Sequence, residues 1–265
     1  YNKSFEDEYS EKDAEQHLTK RYVRDSKFDS SITDLILSGS EFQTKVIQDS
    51  FWYNGEIFKK GVPRNDIFFN RTEETINNLR KAYGFDTKTK IVLYAPTFRD
   101  DDGLDAFNLN TSMLLETLRK KTGEKWKLII RLHPNVAGNS SIFNYDDDVI
   151  DGTGYADSQE LLVFSDLLIT DFSSTMMDFG IMKKPVFLFI TDLDEYIEKC
   201  RGIRPLFYKL PFELSRSNEE LCRSIMQYDA DTYQCRLKDF MDTYFQSYDD
   251  GHASKYVVER IKERR

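Results

Sequence analysis

The chain has 265 residues but only three cysteines, Cys200, Cys222 and Cys235, at spacings that match no metal-ligand or dithiol pattern. An odd, scattered set excludes a disulfide-built scaffold and fits a reducing cytoplasm. No apolar run is long enough to span a bilayer, and no signal-peptide pattern is found. Internal repeats and low-complexity tracts are missing too. So is a basic excess: the formal net charge is −9, which argues against a general nucleic-acid binder. That balance leaves room only for local basic pockets, such as Lys183-Lys184 and the terminal cluster Arg260 to Arg265. The chain opens on Tyr1 rather than Met, a hint that it is cut from something longer. What is plentiful is core material, with 40% hydrophobic residues, 20 Phe and 15 Tyr.

That material is laid out as apolar runs alternating with amphipathic stretches. Residues 1 to 30 are charged and weakly periodic, a surface helix or a partly ordered lead-in. The pattern predicts a strand over Thr33 to Ser38, a helix over Glu41 to Phe51 and a strand over Gly55 to Lys60. This β–α–β unit ends in the loop Gly61-Val62-Pro63-Arg64-Asn65-Asp66, punctuated by Pro63 and Asn65. A helix carrying Ile76, Leu79 and Tyr83 stops at Gly84. Buried strands follow at Ile91 to Ala95, Trp126 to Leu132, Leu167 to Ile169 and Val186 to Ile190, with a short one at Asp148 to Asp151. Helices are expected at Thr111 to Lys121 and Ser158 to Phe164, and beyond Glu219 to the end, with a break at Asp249-Asp250-Gly251. The alternation predicts an α/β fold, a Rossmann-like parallel sheet with flanking helices. The expected division is 1–62, the end of an N-terminal domain, and 63–265, a complete second domain carrying the terminal helices.

In such sheets ligands sit beyond the C-terminal ends of the strands. Those ends read Pro96-Thr97-Phe98-Arg99-Asp100, Arg131-Leu132-His133-Pro134, Thr170-Asp171-Phe172-Ser173-Ser174 and Thr191-Asp192. The third is the most informative: small hydroxyl residues where an apolar strand meets a helix start make an anion site, or merely an N-cap by Asp171 or Ser173. An arginine, a histidine, hydroxyls and a helix start converging on one edge suit a phosphate or diphosphate. Each also has a plainer role. Arg99 beside Asp100, Asp101 and Asp102 forms either an anion contact or a solvated ion cluster. His133 is either a donor to an oxyanion or a satisfied loop histidine. The Asp100 to Asp102 and Asp146 to Asp148 runs read as solvated loops ahead of divalent-metal sites. Arg201-Gly202 offers a guanidinium to a phosphate or a helix end with a C-cap glycine. Asp250-Gly251-His252-Ala253-Ser254 reads as the cap of the last helix.

Taken in order, Gly61 to Asp66, Tyr94 to Asp100, Arg131 to Pro134, Thr170 to Ser174 with Asp178, Lys184-Pro185, Arg201-Gly202 and Asp250 to Ser254 resemble the CDP-glycerol glycerophosphotransferases of teichoic-acid and capsule synthesis. The likeness runs from about residue 15 to the end. It implies a GT-B-type arrangement in which the C-terminal domain holds a CDP-activated donor, with no further cofactor and no metal. It implies that Arg99 and His133 contact the donor diphosphate as the catalytic pair. Ser173 and Ser174 would receive a phosphate, with Thr97, Arg131 and Asp171 in the same substrate-binding set. Asp178 would meet ribose or glycerol hydroxyls, and Arg201 and Ser254 would give supporting contacts. The family also carries a Trp-His-Gly segment whose histidine is the expected base. Here Trp occurs only at 52 and 126, neither followed by His-Gly, so this chain is expected to hold the donor without that base.

The activity so implied is transfer of a polyol phosphate from a CDP-polyol to a lipid-linked or polymer glycan acceptor, on the inner face of a bacterial membrane. A nucleotide-sugar epimerase or glycosyltransferase of the same architecture, or a non-catalytic nucleotide-binding module, are the competing readings.

Overall fold

The computed structural model describes residues 13–97, 107–132, 142–194 and 205–264. The chain groups into two compact units, one of Tyr1–Phe69 with Met241–Arg265, the other of Asn70–Phe240.

The first unit contains helix α1 (Asp13–Ile32), strand β1 (Leu35–Leu37), helix α2 (Glu41–Ser50) and strand β2 (Glu56–Phe58). β1 and β2 pair in parallel, as the predicted β–α–β unit requires. Ser40 caps α2 by accepting from Gln43 N. After a short 3₁₀ turn, Pro63–Asn65, comes helix α3 (Asp66–Asn70). The unit is completed from the far end of the sequence. Asp249 accepts from Val62 N at 2.8 Å and from Asn65 Nδ2 at 3.0 Å. Asp66 accepts from Ala253 N at 2.9 Å and Ser254 N at 2.8 Å, capping the terminal helix Ala253–Glu263. Arg260 and Arg264 both donate to Glu56. The expected boundary at residue 62 attached the terminal helices to the second domain, whereas these bonds tie residues 241–264 to the first unit. They also commit two arginines of the terminal basic cluster to an internal partner.

The second unit opens with helix α4 (Glu73–Ala82), closed by Gly84 at φ +79°. Its sheet contains β3 (Lys90–Tyr94), β4 (Trp126–Ile130), β5 (Val149–Asp151), β6 (Leu167–Thr170), β7 (Val186–Phe189) and β8 (Glu213–Ser215). All neighbours are parallel, in the order β5-β4-β3-β6-β7-β8. Strands covered on both faces need side chains that tolerate burial whichever way they point, which is why β3, β4, β6 and β7 are near-continuous apolar runs. Ile91, Val92, Leu128, Ile129, Leu168 and Ile169 are all fully buried.

Helix α5 (Thr111–Thr122) joins β3 to β4, α6 (Ser158–Phe164) joins β5 to β6, and α7 (Thr175–Ile181) joins β6 to β7. One sheet face, with Val92, Leu128, Ile130 and Phe187, packs in a single core against Leu114, Leu118, Leu221 and Ile225. The last two belong to α8 (Asn218–Gln227), which is followed by α9 (Ala230–Phe240). Burying each such aliphatic side chain contributes roughly 1.5–3 kcal/mol before the entropy of ordering it is subtracted.

Two features depart from the sequence reading. β8 is a sixth strand where none is predicted: only Leu214 is apolar, and Ser215 is fully buried while Glu213 is exposed. The stretch beyond Glu219 is not one helix with a single break. It divides at Tyr228, whose N–H bonds to Ile225 O, and again at a π turn, Met241–Phe245, before α10 (Ala253–Glu263). The helix end expected at Arg201-Gly202 lies outside the described residues.

Candidate functional site

The strand order reverses direction between β3 and β6: the chain leaves β3 toward β4 on one side and leaves β6 toward β7 on the other. Two connections diverging from adjacent strands open a crevice at the carboxyl ends, the usual ligand position in open α/β sheets. Here that crevice lies between Ala95-Pro96-Thr97 and Thr170-Asp171-Phe172. The two loops are bonded together. Thr97 donates to Asp171 Oδ1 through its backbone N–H at 2.8 Å and through Oγ1 at 2.6 Å. Thr170 Oγ1 donates to Ala95 O at 2.7 Å, and Ala95 N to Ile169 O at 3.0 Å.

Asp171 is 2% exposed, and its carboxylate serves as the clasp between the two loops rather than as the cap of α7. The N-cap position belongs to Ser174, with helical backbone angles and no side-chain cap bond. Ser173 Oγ bonds to Thr175 Oγ1 at 2.7 Å and accepts from Thr175 N at 3.3 Å. Met176 N and Met177 N bond back to Ser173 O and Ser174 O. These bonds tighten the first turn, leaving the Ser174 side chain exposed at the sheet edge. Asp178 is buried one turn into α7, and the half-buried Phe172 ring stands 5.5 Å from Phe207.

Arg131 follows β4, next to β3, with its N–H on Tyr94 O at 2.8 Å. It is half-buried, and burial holds its guanidinium below its ordinary pKa, with Asp157 and Tyr83 opposing. Thr97, Arg131, Asp171, Ser173 and Ser174 therefore lie at the carboxyl edge of one sheet, on three adjacent strands. Ser254 belongs to the other unit, where its N–H is taken by Asp66. Arg99, His133 and Arg201 lie outside the described residues.

The acid run Asp146 to Asp148 is put to local use: Asp146 Oδ1 accepts from Asp148 N and Val149 N, and Asp148 pairs with Arg119 at 2.6 Å. Lys184 lies at the opposite, amino end of the sheet, just ahead of β7. Its ammonium is buried against Val163 O at 2.7 Å and Ser165 O at 2.6 Å, and that burial lowers its pKa to about 8.

The sequence reading passed over the β5–α6 connection. Thr153 Oγ1 accepts from Leu132 N at 3.2 Å, fixing that loop to the end of β4, and Asp157 caps α6 through Gln159 N. The signal was available: Gly152-Thr153-Gly154 follows a strand and precedes a cap, at the same edge as the other motifs.

The model of the CDP-glycerol:poly(glycerophosphate) glycerophosphotransferases matches residues 7–263. The chain belongs to that family. It is 32% identical over 258 residues to the teichoic acid poly(glycerol phosphate) polymerase of Staphylococcus epidermidis, covering 92% of this chain and 35% of that protein. It is 30% identical over 251 residues to the teichoic acid glycerol-phosphate transferase of Staphylococcus aureus, covering 64% of it. The chain thus spans about a third to two thirds of the length of these relatives. The fold is similar to that of the wall teichoic acid polymerase TagF, with a TM-score of 0.77 at 29% identity over 92% of this chain and 61% of that one. A TagF variant soaked with CDPG gives the same TM-score at 30% identity. A UDP-N-acetylglucosamine 2-epimerase from Listeria monocytogenes, at 14% identity and TM-score 0.51, shares the fold alone.

Proposed function

We propose that this chain supplies the donor site of an enzyme that transfers glycerol phosphate, or a related polyol phosphate, from a CDP-activated donor. The observation that supports it is the Thr97–Asp171 clasp, which holds two motif loops together at the β3/β6 switch point. A diphosphate lying there would meet the hydroxyls of Ser173 and Ser174 from β6, and Arg131 from β4. Arg99 and His133, whose motifs leave β3 and β4, would carry charge on the phosphates. Arg201 and Asp178 would be secondary contacts.

In this reading an acceptor hydroxyl attacks the β-phosphorus of the CDP-polyol. The new P–O bond forms as the bridging P–O bond breaks, the acceptor hydroxyl's proton passes to a general base, CMP leaves with the bridging oxygen, and the polyol phosphate is joined as a phosphodiester. Little covalent chemistry falls to the protein, so positioning and charge stabilisation provide most of the acceleration. The acceptor is a growing polymer or a lipid-linked glycan. The activities of the relatives, glycerol-phosphate transfer and poly(glycerol phosphate) polymerisation, support this choice over an epimerase.

The test is calorimetric titration with CDP-glycerol, CDP-ribitol and UDP-GlcNAc side by side. Binding of a CDP-polyol and not of UDP-GlcNAc is expected. Binding of UDP-GlcNAc alone contradicts the proposal.

A further inference from the structure

One buried charge lies at the far end of the sheet from the switch-point crevice and has no part in the donor site as described. Lys184 stands in the turn between α7 and β7, at the amino end of the strands. Its Nζ donates to Val163 O at 2.7 Å and to Ser165 O at 2.6 Å. The same nitrogen is 5.8 Å from the centre of the Phe179 ring, a fully buried residue of α7. Taking an ammonium out of water is costly, and an apolar chain of similar length would fill the space without that cost. The charge therefore calls for a reason beyond packing.

One reason is the C-terminal end of α6, whose last carbonyls lack partners within the helix. That end is already served by others: Phe164 O accepts from Arg80 Nη2 at 2.9 Å, and Leu161 O from Ser165 Oγ at 2.6 Å. What Lys184 adds is a link between elements. Ser165 stands two residues ahead of β6, and Lys184 follows it by nineteen. Their bond thus closes β6, the Thr170–Ser174 loop and α7 into one ring, and Phe179 sets the ammonium against α7 itself. α7 has only seven residues and begins with no side-chain cap bond. Its placement along the strands then depends on what holds its other end. There Lys183 sits at φ +60°, a strained value for a side-chain-bearing residue. Gln234 Nε2 donates to Lys183 O at 2.6 Å and Tyr233 OH to Lys184 O at 2.7 Å, which keeps the turn in that shape.

We propose that Lys184 is a positioning residue for the donor phosphates: through Ser165 and Phe179 it sets where the first turn of α7, Ser173 to Thr175, stands relative to the end of β6. It touches no ligand. The inference rests on the donor-site reading above and adds to it a residue at the opposite end of the sheet. A phosphate held by that turn feels any displacement of it, since a misplacement of about 1 Å costs up to a hundredfold where geometry governs.

The test compares wild type, Lys184→Met, Lys184→Gln and Tyr233→Phe, each checked for folding by circular dichroism. Two quantities are read: CDP-glycerol affinity by calorimetry, and backbone amide peak positions in the ligand-free chain. Lys184→Met keeps the length of the stem and loses the charge and both bonds. It is expected to bind CDP-glycerol about tenfold more weakly and to displace the peaks of Ser174 to Met177 before any ligand is added. Lys184→Gln, which keeps one donor, is expected to fall between it and wild type, and supplies both readouts if Lys184→Met does not fold. Tyr233→Phe removes the bond to the Lys184 carbonyl but leaves Nζ its partners, so it is expected to lower the urea midpoint and keep wild-type affinity. Wild-type affinity in the Lys184 variants, or peak displacements confined to residues 163–166 and 184–186, overturns the inference and leaves the donor site standing. An equal loss of affinity in Tyr233→Phe also overturns it, because binding would then follow stability alone. A wild type that binds no CDP-glycerol overturns the donor-site reading and this inference together.

Discussion

Asp171 Oδ1 accepts two hydrogen bonds from one residue, Thr97, through its backbone N–H and its hydroxyl. A nearly inaccessible carboxylate is costly to desolvate, and donors pointing at it offset that cost. The pair joins the two strand ends on either side of the switch point, so the crevice width follows from it.

A double-mutant cycle over Thr97→Val and Asp171→Asn measures that clasp. The coupling in urea unfolding is expected at about 1–3 kcal/mol, as for contacting residues in one network. CDP-glycerol affinity is expected to fall about tenfold in either single variant. Additive effects on stability would mean that the two loops are held by something else.

Gly61 has φ +83°, and a Cβ placed on it would stand 2.8 Å from Asp249 Oδ1. Gly61→Ala therefore strains the backbone and pushes away the carboxylate that holds Val62 and Asn65. A loss of about 1–3 kcal/mol in unfolding free energy is expected. A neutral Gly61→Ala would show that Asp249 does not hold the loop.

Glu56 receives Arg260 and Arg264, whose hydrogen bonds bring its pKa from the ordinary 4.5 down to about 2. A depressed carboxylate contributes stability above its unfolded pKa and loses it as pH falls toward the folded one. The urea midpoint is thus expected to drop between pH 5 and pH 2, and to drop less in Glu56→Gln. Identical acid profiles in the two proteins would deny the pairing a role in solution.

Much of this was legible in the residues themselves. β3, β4, β6 and β7 announce themselves because strands buried on both faces must be apolar throughout. β8 did not, since an edge strand with one apolar side chain, Leu214, carries no periodic signal. The division at Tyr228 was hidden because the ring still packs against the core and keeps the apolar spacing intact. At the site, the strand ends located Thr97, Arg131 and Asp171. Their roles were less accessible: an Asp ahead of a helix reads locally as a cap, and only the distant Thr97 reveals the clasp. The same holds for Asp66 and Asp249, whose partners lie at the other end of the sequence.

Lys184 titrates low because its ammonium is buried, with Arg71, Arg80 and Lys90 adding repulsion and Asp166 opposing. The unfolded chain keeps that proton to near pH 10.5, so between pH 8 and 10.5 the unfolded state binds more protons and stability from this group rises with pH. The difference between wild type and Lys184→Gln in urea midpoint is expected to move in favour of wild type over that window. A difference independent of pH would place the ammonium in contact with water.

The central claim is that a CDP-polyol binds at the switch point of the second unit. Backbone amide chemical-shift mapping of the chain titrated with CDP-glycerol tests it most directly. The account predicts the largest shifts at Ala95, Thr97, Arg131, Leu132 and Ser173 to Thr175, with those of the first unit nearly still. Shifts confined to the first unit, around Gly39 and Gly61, would contradict it.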